Sequence, residues 1–254
     1  NLIYVSNQNE VTNTGVIEMN KFVSFLVWFF RPLIKLVLPV KLLGDTKIEE
    51  KKLLITCNHM GYPDPLYFAE YYKNISFLYK KEFRNSKFLT WAFDGLNFIA
   101  VSRGETDISA IRKCIQVLND NKLLGLFPDG HRSPDSEHLQ EFKNGAALIA
   151  LKAHAPIKPC AVWDNGHFFR KNYIMMGEEF TLDEYYDKHI TKATIKEVTA
   201  LIVSKTQVLF DKLNAELKEK NIYRKKRSKK EIKRYQEYKM ELEAEKKQES
   251  GEDN

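Results

Sequence analysis

The sequence lacks the residue patterns that mark disulfide-rich secreted proteins and metal-binding proteins. Its 254 residues hold three cysteines, Cys57, Cys114 and Cys160, which are widely spaced and odd in number. This spacing predicts neither a disulfide framework nor a metal site, and we expect no cofactor. Each cysteine lies among apolar residues, so we expect three small core residues in a protein of a reducing compartment.

A clean membrane-spanning run is missing as well, and no small-residue cleavage site follows the most apolar stretch, residues 22–43. Charged residues and prolines interrupt that stretch at Arg31, Pro32, Lys35, Pro39 and Lys41. We expect an amphipathic hairpin of two short helices, broken at Arg31-Pro32 and lying in a bilayer interface. The alternative is a helix packed on the protein's own core, but the adjacent aromatic residues 28–30 cannot all face one core.

Positive charge is in excess but unevenly spread. The formal net charge is +6 and the pI is about 9.0, values that suit an anionic partner such as a membrane surface, nucleic acid or a phosphorylated molecule. Residues 221–240 hold nine Lys or Arg and two Glu. We predict a poorly ordered N-terminus (1–20), a membrane-interface helical segment (21–43), an α/β domain (44–215) and a charged C-terminal helix or tail (216–254).

Short apolar runs alternate with stretches of helical spacing along the middle of the chain. The runs that predict strands are 53–57, 75–79, 97–101, 123–127, 157–163 and 172–176. Helical patterns cover 65–72, 82–93, 107–119 with Thr106 as the expected cap, 144–153 and 193–220. This alternation predicts an α/β fold with a mixed, largely parallel sheet flanked by helices.

A histidine and an aspartate follow the first of these strands. His59 and Asp64 are separated by a turn that contains Gly61 and Pro63. Residues five apart do not share a face of a helix, so the two side chains can meet only if the chain turns between them. A carboxylate that fixes the imidazole tautomer makes a general base able to deprotonate a hydroxyl. By itself this spacing is equally well explained by a chance pair in a surface turn.

Polar residues also follow two other predicted strands. Ser102, Arg103 and Gly104 come after residues 97–101, and Asp129, Gly130, His131 and Arg132 come after residues 123–127. The carboxyl ends of parallel strands meet at one edge of a sheet, where ligands bind. The planar guanidinium of arginine suits phosphate. Together with the His-Asp pair, these clusters predict group transfer to or from a hydroxyl of a phosphorylated molecule.

At this point residues 22–215 resemble the glycerolipid acyltransferases, in particular bacterial 1-acyl-sn-glycerol-3-phosphate acyltransferase. Four blocks in order carry the resemblance. Asn58-His59 with Asp64 is similar to the family's NH-x4-D motif, and residues 98–103 (FIAVSR) to its second block. Residues 127–133 (FPDGHRS) resemble its FPEGTRS block, and residues 155–159 (APIKP) its fourth block.

Several residues depart from the family pattern. Asp129 replaces a glutamate and His131 replaces a threonine in the third block, and Gly61 stands where the first block usually has serine. Ala155 and Lys158 stand where the fourth block is usually apolar. The catalytic pair is intact, so the departures bear on the identity of the acceptor.

The resemblance implies direct acyl transfer from acyl-CoA or acyl-carrier protein to the sn-2 hydroxyl of a lysophospholipid acceptor. In that scheme His59 is the base and Asp64 orients it. Arg103 holds the acceptor phosphate, and Asn58, Ser102, Asp129, Gly130 and Arg132 complete the substrate site. We expect a peripheral protein on the cytoplasmic face of the cell membrane, with the basic run at residues 224–234 attracted to anionic lipids, and no nucleic-acid partner.

Four alternatives stay open. The enzyme could act on another lipid or polar acceptor, or it could be a hydrolase that uses water. A non-catalytic membrane-surface binding protein is a further class, and the basic run could be only a solvated tail. A nucleophilic role for the Cys57 thiol is disfavoured by its place inside a predicted strand.

Overall fold

A computed structural model describes residues 21–49, 51–72, 74–102, 107–133, 137–165 and 168–224, together with 232–233, 235–237 and 239–240. The predictions for residues 1–20 and for Arg103 therefore lie outside the described residues, and so does most of the basic run at 224–234. The predicted cap at Thr106 is wrong, because Asp107 caps the helix that begins at Ile108.

Seven helices and seven strands make up the described part of the chain. The strands are β1 (Val40–Gly44), β2 (Leu53–Cys57), β3 (Ile75–Lys80), β4 (Ile99–Val101), β5 (Leu123–Leu126), β6 (Ile157–Trp163) and β7 (Asn172–Met176). The helices are α1 (Lys21–Val37), α2 (Asp64–Tyr71), α3 (Lys87–Gly95), α4 (Ile108–Asn119), α5 (Gly145–Ala153), α6 (Asp183–Tyr186) and α7 (Lys192–Glu219). A 3-10 turn, Lys81–Asn85, precedes α3, so the single helix expected at 82–93 is divided in two.

All seven strands form one sheet in the order β1-β7-β6-β2-β5-β3-β4. Strands β2 to β6 run parallel to one another, whereas β7 is antiparallel to β6 and β1 pairs parallel with β7. The prediction of a mixed, largely parallel sheet is confirmed. Strand β2 occupies the centre, with β5 on one side and β6 on the other.

Helices cover both faces of the sheet. Apolar residues of α4, α5 and α7 pack on one face, and α2 packs on the other with Tyr67 and Phe68. Every residue of β2, β5 and β6 is buried, as expected for central parallel strands covered on both sides. The three cysteines are buried and free of disulfides, as the sequence predicted.

The first helix differs from the expected pair of short helices. Helix α1 continues through Pro32, although the proline removes one backbone hydrogen bond. The helix contacts the domain on both sides of Pro32, since Lys35 after the proline pairs with Glu70 at 3.6 Å. Val23 lies so close to Gly95 that a Cβ added there would come within 2.4 Å of it, and Arg31 donates a hydrogen bond to the carbonyl of Glu70. The predicted break at Arg31-Pro32 is therefore wrong.

A row of large apolar side chains on α1 is exposed, and we call it the apolar face of α1. Its residues are Phe22, Phe25, Trp28, Phe29, Phe30, Leu33 and Leu36. The exposed residues Phe88 and Trp91 of α3 extend this face, since the rings of Phe22 and Trp91 lie 6.1 Å apart. None of the described helices combines the length and the apolar character needed to cross a bilayer.

The predicted boundaries of the helical segment and of the tail need correction. Residues 40–43, assigned to the interface segment, belong to β1, which pairs with β7 at the edge of the sheet. At the other end, α7 runs to Glu219 and buries Leu217 in the core. The α/β domain therefore extends from β1 through α7. The apolar positions of α7 continue beyond residue 215, because the helix face that carries Leu217 still packs on β6 and β7.

An ion pair between a buried lysine and an exposed aspartate accounts for one departure from the family pattern. Lys158 of β6 is 1% exposed, and its Nζ donates to Asp45 Oδ2 at 2.6 Å. This hydrogen bond from Lys158 lowers the pKa of Asp45. Because the ordinary pKa is about 3.9, the resulting stabilisation is present above that pH and is lost as the pH falls through the lowered value.

We predict that Asp45→Asn destabilises the fold more than Lys158→Met. The first change leaves an ammonium group buried without its carboxylate, whereas the second replaces it with an apolar group of similar length. Loss of one partner of a fully buried pair costs roughly 3–5 kcal/mol, and solvent access to Asp45 reduces the expected cost to about 2 kcal/mol. Urea unfolding at pH 7, followed by tryptophan fluorescence, measures both. A larger loss of unfolding free energy in Lys158→Met than in Asp45→Asn would contradict the proposed role of the ion pair.

Candidate active site

His59 and Asp64 meet at the carboxyl end of the central strand. The Nδ1 atom of His59 donates to Oδ2 of Asp64 at 2.8 Å, and the carboxylate is fully buried. The side chain of His59 is 16% exposed. With Nδ1 held by the carboxylate, Nε2 is the ring nitrogen left to accept a proton. The two side chains therefore meet as the spacing predicted, in a geometry that a general base can use.

The turn between the two residues is built around the Asp64 carboxylate. The backbone N–H groups of Met60 and Gly61 donate to the same Oδ2 atom, at 2.7 and 2.9 Å. Pro63 precedes α2, and Asp64 is the first residue of that helix. Three N–H donors thus converge on one oxygen, an arrangement that stabilises a carboxylate without a metal ion.

The loop after β5 fixes the backbone of His59. Its N–H donates to Asp129 Oδ2 at 2.7 Å, and its carbonyl accepts from Ser133 N–H at 2.8 Å. The His59 ring also stacks on Phe127, with 4.2 Å between ring centroids. The first and third blocks therefore meet directly, as the pairing of β2 with β5 requires.

The carboxyl group of Asp129 is buried beneath this loop. Burial raises its pKa well above the ordinary range, an effect that the hydrogen bond from His59 N–H opposes and the charge of Asp64 increases. Within the described residues no hydrogen bond reaches its second oxygen, Oδ1. A carboxyl group in these surroundings retains a proton to higher pH than usual and can donate a hydrogen bond.

Asn58 has both side-chain polar atoms engaged with the backbone. Its Nδ2 donates to the carbonyl of Val162, and its Oδ1 accepts from the N–H of the same residue. These bonds continue the pairing of β2 with β6 past the strand end. The geometry favours a structural role for Asn58 in place of the predicted substrate contact.

The rest of the third block forms a tight turn beside the base. Gly130 has a φ of +68°, a conformation that glycine adopts without strain. The guanidinium of Arg132 lies over the ring of Tyr62, 3.3 Å from its centroid. Stacking leaves the N–H edges of a guanidinium available for an anion in its plane. The Nδ1 atom of His131 bonds to the carbonyl of Asp129, which suits a loop residue better than a second base.

The second block lies further along the same edge. The N–H of Ser102 donates to Asp107, which also caps α4. Strand β4 is three positions from β2 in the sheet, or about 14 Å at the usual spacing of roughly 4.8 Å per strand. The predicted common edge therefore includes Ser102, but no described contact joins it to His59.

Sequence reasoning missed Asp164, which follows β6 on the other side of β2. It is buried, and Tyr67 Oη donates to its Oδ1 at 3.2 Å. The same sequence pattern that pointed to His59 and Asp129 is present here, since Asp164 is a polar residue directly after a predicted apolar strand. Asp164 therefore belongs to the same edge of the sheet as His59 and Asp129.

Cys57 lies in the fully buried strand β2, and burial raises the pKa of its thiol well above the ordinary value. A thiol in such surroundings is a poor nucleophile. Among the described residues, no group of three or more His, Cys, Asp or Glu side chains could hold a metal ion.

The chain was compared with known proteins over this region. Residues 39–163 match the family model described as "Acyltransferase". The chain is 32% identical over 109 residues to 1-acyl-sn-glycerol-3-phosphate acyltransferase of Helicobacter pylori, covering 42% of this chain and 46% of that protein. It is 28% identical over 135 residues to the enzyme of that name from Borreliella burgdorferi, covering 52% and 54%. The chain thus spans about half the length of these relatives.

A structural neighbour agrees with the fold. The crystal structure of the 1-acyl-sn-glycerophosphate (LPA) acyltransferase PlsC from Thermotoga maritima matches with a TM-score of 0.59 and 20% sequence identity. The match covers 77% of this chain and 82% of that one. The residues that match the family model span β1 to β6 and include the His59–Asp64 pair and the loop after β5. The chain belongs to the acyltransferase family.

Proposed function

We propose that this protein transfers a fatty acyl group from an acyl thioester to the sn-2 hydroxyl of 1-acyl-glycerol-3-phosphate. The product is phosphatidic acid, made in phospholipid biosynthesis. The observation that carries the proposal is the 2.8 Å hydrogen bond between His59 and Asp64 at the carboxyl edge of the central strand. The names of the curated relatives support the same reaction and acceptor.

In the proposed reaction, Nε2 of His59 removes the proton of the acceptor hydroxyl. The hydroxyl oxygen attacks the thioester carbonyl carbon, so a carbon–oxygen bond forms and a tetrahedral oxyanion results. Collapse of that intermediate breaks the carbon–sulfur bond, and the departing thiolate takes the proton from the imidazolium. Asp64 stabilises the imidazolium between these steps. A general base of this kind contributes about 10²–10⁴-fold to the rate.

The acceptor site proposed here uses the loops after β4 and β5. Arg103 and the N–H edges of Arg132 bind the acceptor phosphate, and Ser102 and Gly130 shape the pocket. Asp129 fixes the backbone of His59 through Oδ2. Burial raises the pKa of the Asp129 carboxyl group. Asn58 acts by joining β2 to β6.

The remaining parts of the proposal concern partners and location. The donor is acyl-CoA or acyl-carrier protein, and neither a cofactor nor nucleic acid takes part. The protein binds the cytoplasmic face of the cell membrane peripherally through the apolar face of α1. Aromatic and aliphatic side chains on one side of a helix are typical of such binding. Contact with the bilayer would deliver the lysophospholipid to the site.

Three other functions remain as outcomes of a direct assay. An acyltransferase of the same family with a different lipid or polar acceptor would consume thioester only when that acceptor is supplied. A non-catalytic membrane-surface protein would bind liposomes and leave every thioester intact. Release of free fatty acid without any acceptor would indicate a hydrolase.

We predict that His59→Ala lowers phosphatidic acid formation at least about 10²-fold, because the base is removed. The assay supplies labelled acyl-CoA and lysophosphatidic acid in liposomes and measures the labelled product. The thermal unfolding temperature should change little, since the His59 ring lies in a loop and is partly exposed.

The matched control is His189→Ala, which removes an exposed imidazole outside the site. It should retain wild-type activity. Undiminished turnover by His59→Ala would exclude the proposed mechanism, whereas inactive wild-type protein with both donors would exclude the proposed reaction.

We also predict that the double substitution Trp28→Glu with Phe29→Glu weakens binding to anionic liposomes at least about tenfold. It replaces two exposed aromatic rings of the apolar face with charges that stay hydrated. Co-sedimentation with liposomes of phosphatidylglycerol and phosphatidylethanolamine measures the partitioning.

Val208→Glu on α7 is the control, because Val208 is also exposed but lies away from that face. It should bind as the wild type does. Equal loss in both variants, or no loss in the double variant, would rule out the apolar face of α1 as the binding surface.

A further inference from the structure

A buried carboxylate that the proposed mechanism does not use lies against the catalytic turn. A Cβ added to Gly61 would lie 2.3 Å from Asp164 Oδ2. The N–H of Gly61 donates to Asp64, so the two carboxylates lie on either side of one peptide segment. The family's serine would not fit at position 61, because Asp164 occupies the space of its side chain.

A positive charge from far along the chain reaches this carboxylate. The Nη2 atom of Arg224 lies 3.7 Å from Asp164 Oδ2, and the two side chains are 7% and 4% exposed. Arg224 follows α7 and lies outside residues 39–163, which match the family model. The sequence predicted this arginine as part of a basic run that attracts anionic lipids. Because its side chain is buried against Asp164, it is not available to a membrane surface.

The same C-terminal segment touches the site at a second point. The ring of Tyr235 stacks on His131, with centroids 5.9 Å apart and an interplanar angle of 18°. Its hydroxyl is hydrogen-bonded to Gln140 Oε1. Arg224 therefore meets the site beside β6, and Tyr235 meets the loop after β5. The segment is in contact with both loops that flank His59.

We propose that Arg224 is a positioning residue for the catalytic pair, and that it acts through Asp164. The inference rests on the acyl transfer proposed above. Asp164 lies against the turn at Gly61, and Arg224 offsets the negative charge that Asp164 brings to that turn. Weakly screened charges in a buried site act over several ångströms. Without Arg224, the imidazolium form of His59 is stabilised and less of the free base is present at neutral pH.

Other charged groups near His59 also act on its protonation. Asp64 and Asp129 bond to its ring and its backbone. Arg132 lies over Tyr62, and the Lys143 side chain lies beside Gly130, 3.8 Å from a Cβ position there. His131 belongs to the same loop. Since these groups are unchanged in the variants below, differences among the variants report on Arg224 and Asp164.

The test compares Arg224→Gln, Asp164→Asn and the double variant with the wild type. The protonation midpoint of His59 is followed by NMR, and the acid limb of the pH dependence of kcat/KM is measured in parallel. Arg224→Gln should shift both upward by about half a pH unit or more. Asp164→Asn should shift them downward, and the double variant should return close to the wild type because both charges are removed.

Two controls separate this role from loss of structure. Arg224→Lys keeps the charge and should keep the wild-type midpoint. Lys233→Gln removes a charge from the same segment, but that side chain is 78% exposed and should leave the midpoint unchanged. Asp164→Asn also tests the proposal by itself if Arg224→Gln does not fold.

An unchanged midpoint in Arg224→Gln and Asp164→Asn would overturn the proposal. So would a shift in Arg224→Gln that Asp164→Asn fails to reverse, because Arg224 would then act by another route. The NMR measurement does not depend on turnover. Absence of acyl transfer by the wild type would therefore count against the proposed function and not against the coupling of Arg224 to His59.

Discussion

The parallel pairing of β2 with β5 on one side and β6 on the other is the constraint on which the site depends. Parallel strands end at the same edge, so the residues that follow the three strands are placed side by side. Their loops then bond to one another: Asn58 to the backbone of Val162, and His59 to Asp129 and Ser133. The base is held through its own backbone, so its position is fixed by the sheet and not only by its partner Asp64.

This arrangement places three buried carboxyl groups close to His59 and to the turn that follows it, and each has different partners. Asp64 accepts three N–H groups on one oxygen. Burial raises the pKa of Asp129, and the hydrogen bond from the N–H of His59 opposes that shift. Asp164 has the hydroxyl of Tyr67 and the guanidinium of Arg224. Burial makes an uncompensated charge costly, and of the three carboxyl groups it is Asp64 that bonds to the His59 ring.

Local patterns predicted much of this structure from the sequence. Apolar runs located the six strands from β2 to β7, and the polar residues after them located the site, because both depend on short-range order and on burial. The break expected at Pro32 was wrong: the helix is continuous, and it contacts the domain through Val23 before the proline and Lys35 after it. The pairing of Asp164 with Arg224 could not be predicted, since sixty residues separate them and no periodicity relates them.

Two departures from the family pattern lie beside His59. A Cβ at Gly61 would lie 2.3 Å from Asp164 Oδ2, so a serine fits at this position only if Asp164 moves. Asp129 is one methylene shorter than glutamate, and its carboxyl group reaches the N–H of His59 beneath it. Both departures therefore bear on how the turn and the backbone around His59 are held, because one lies in the turn that ends at Asp64 and the other bonds to the N–H of His59.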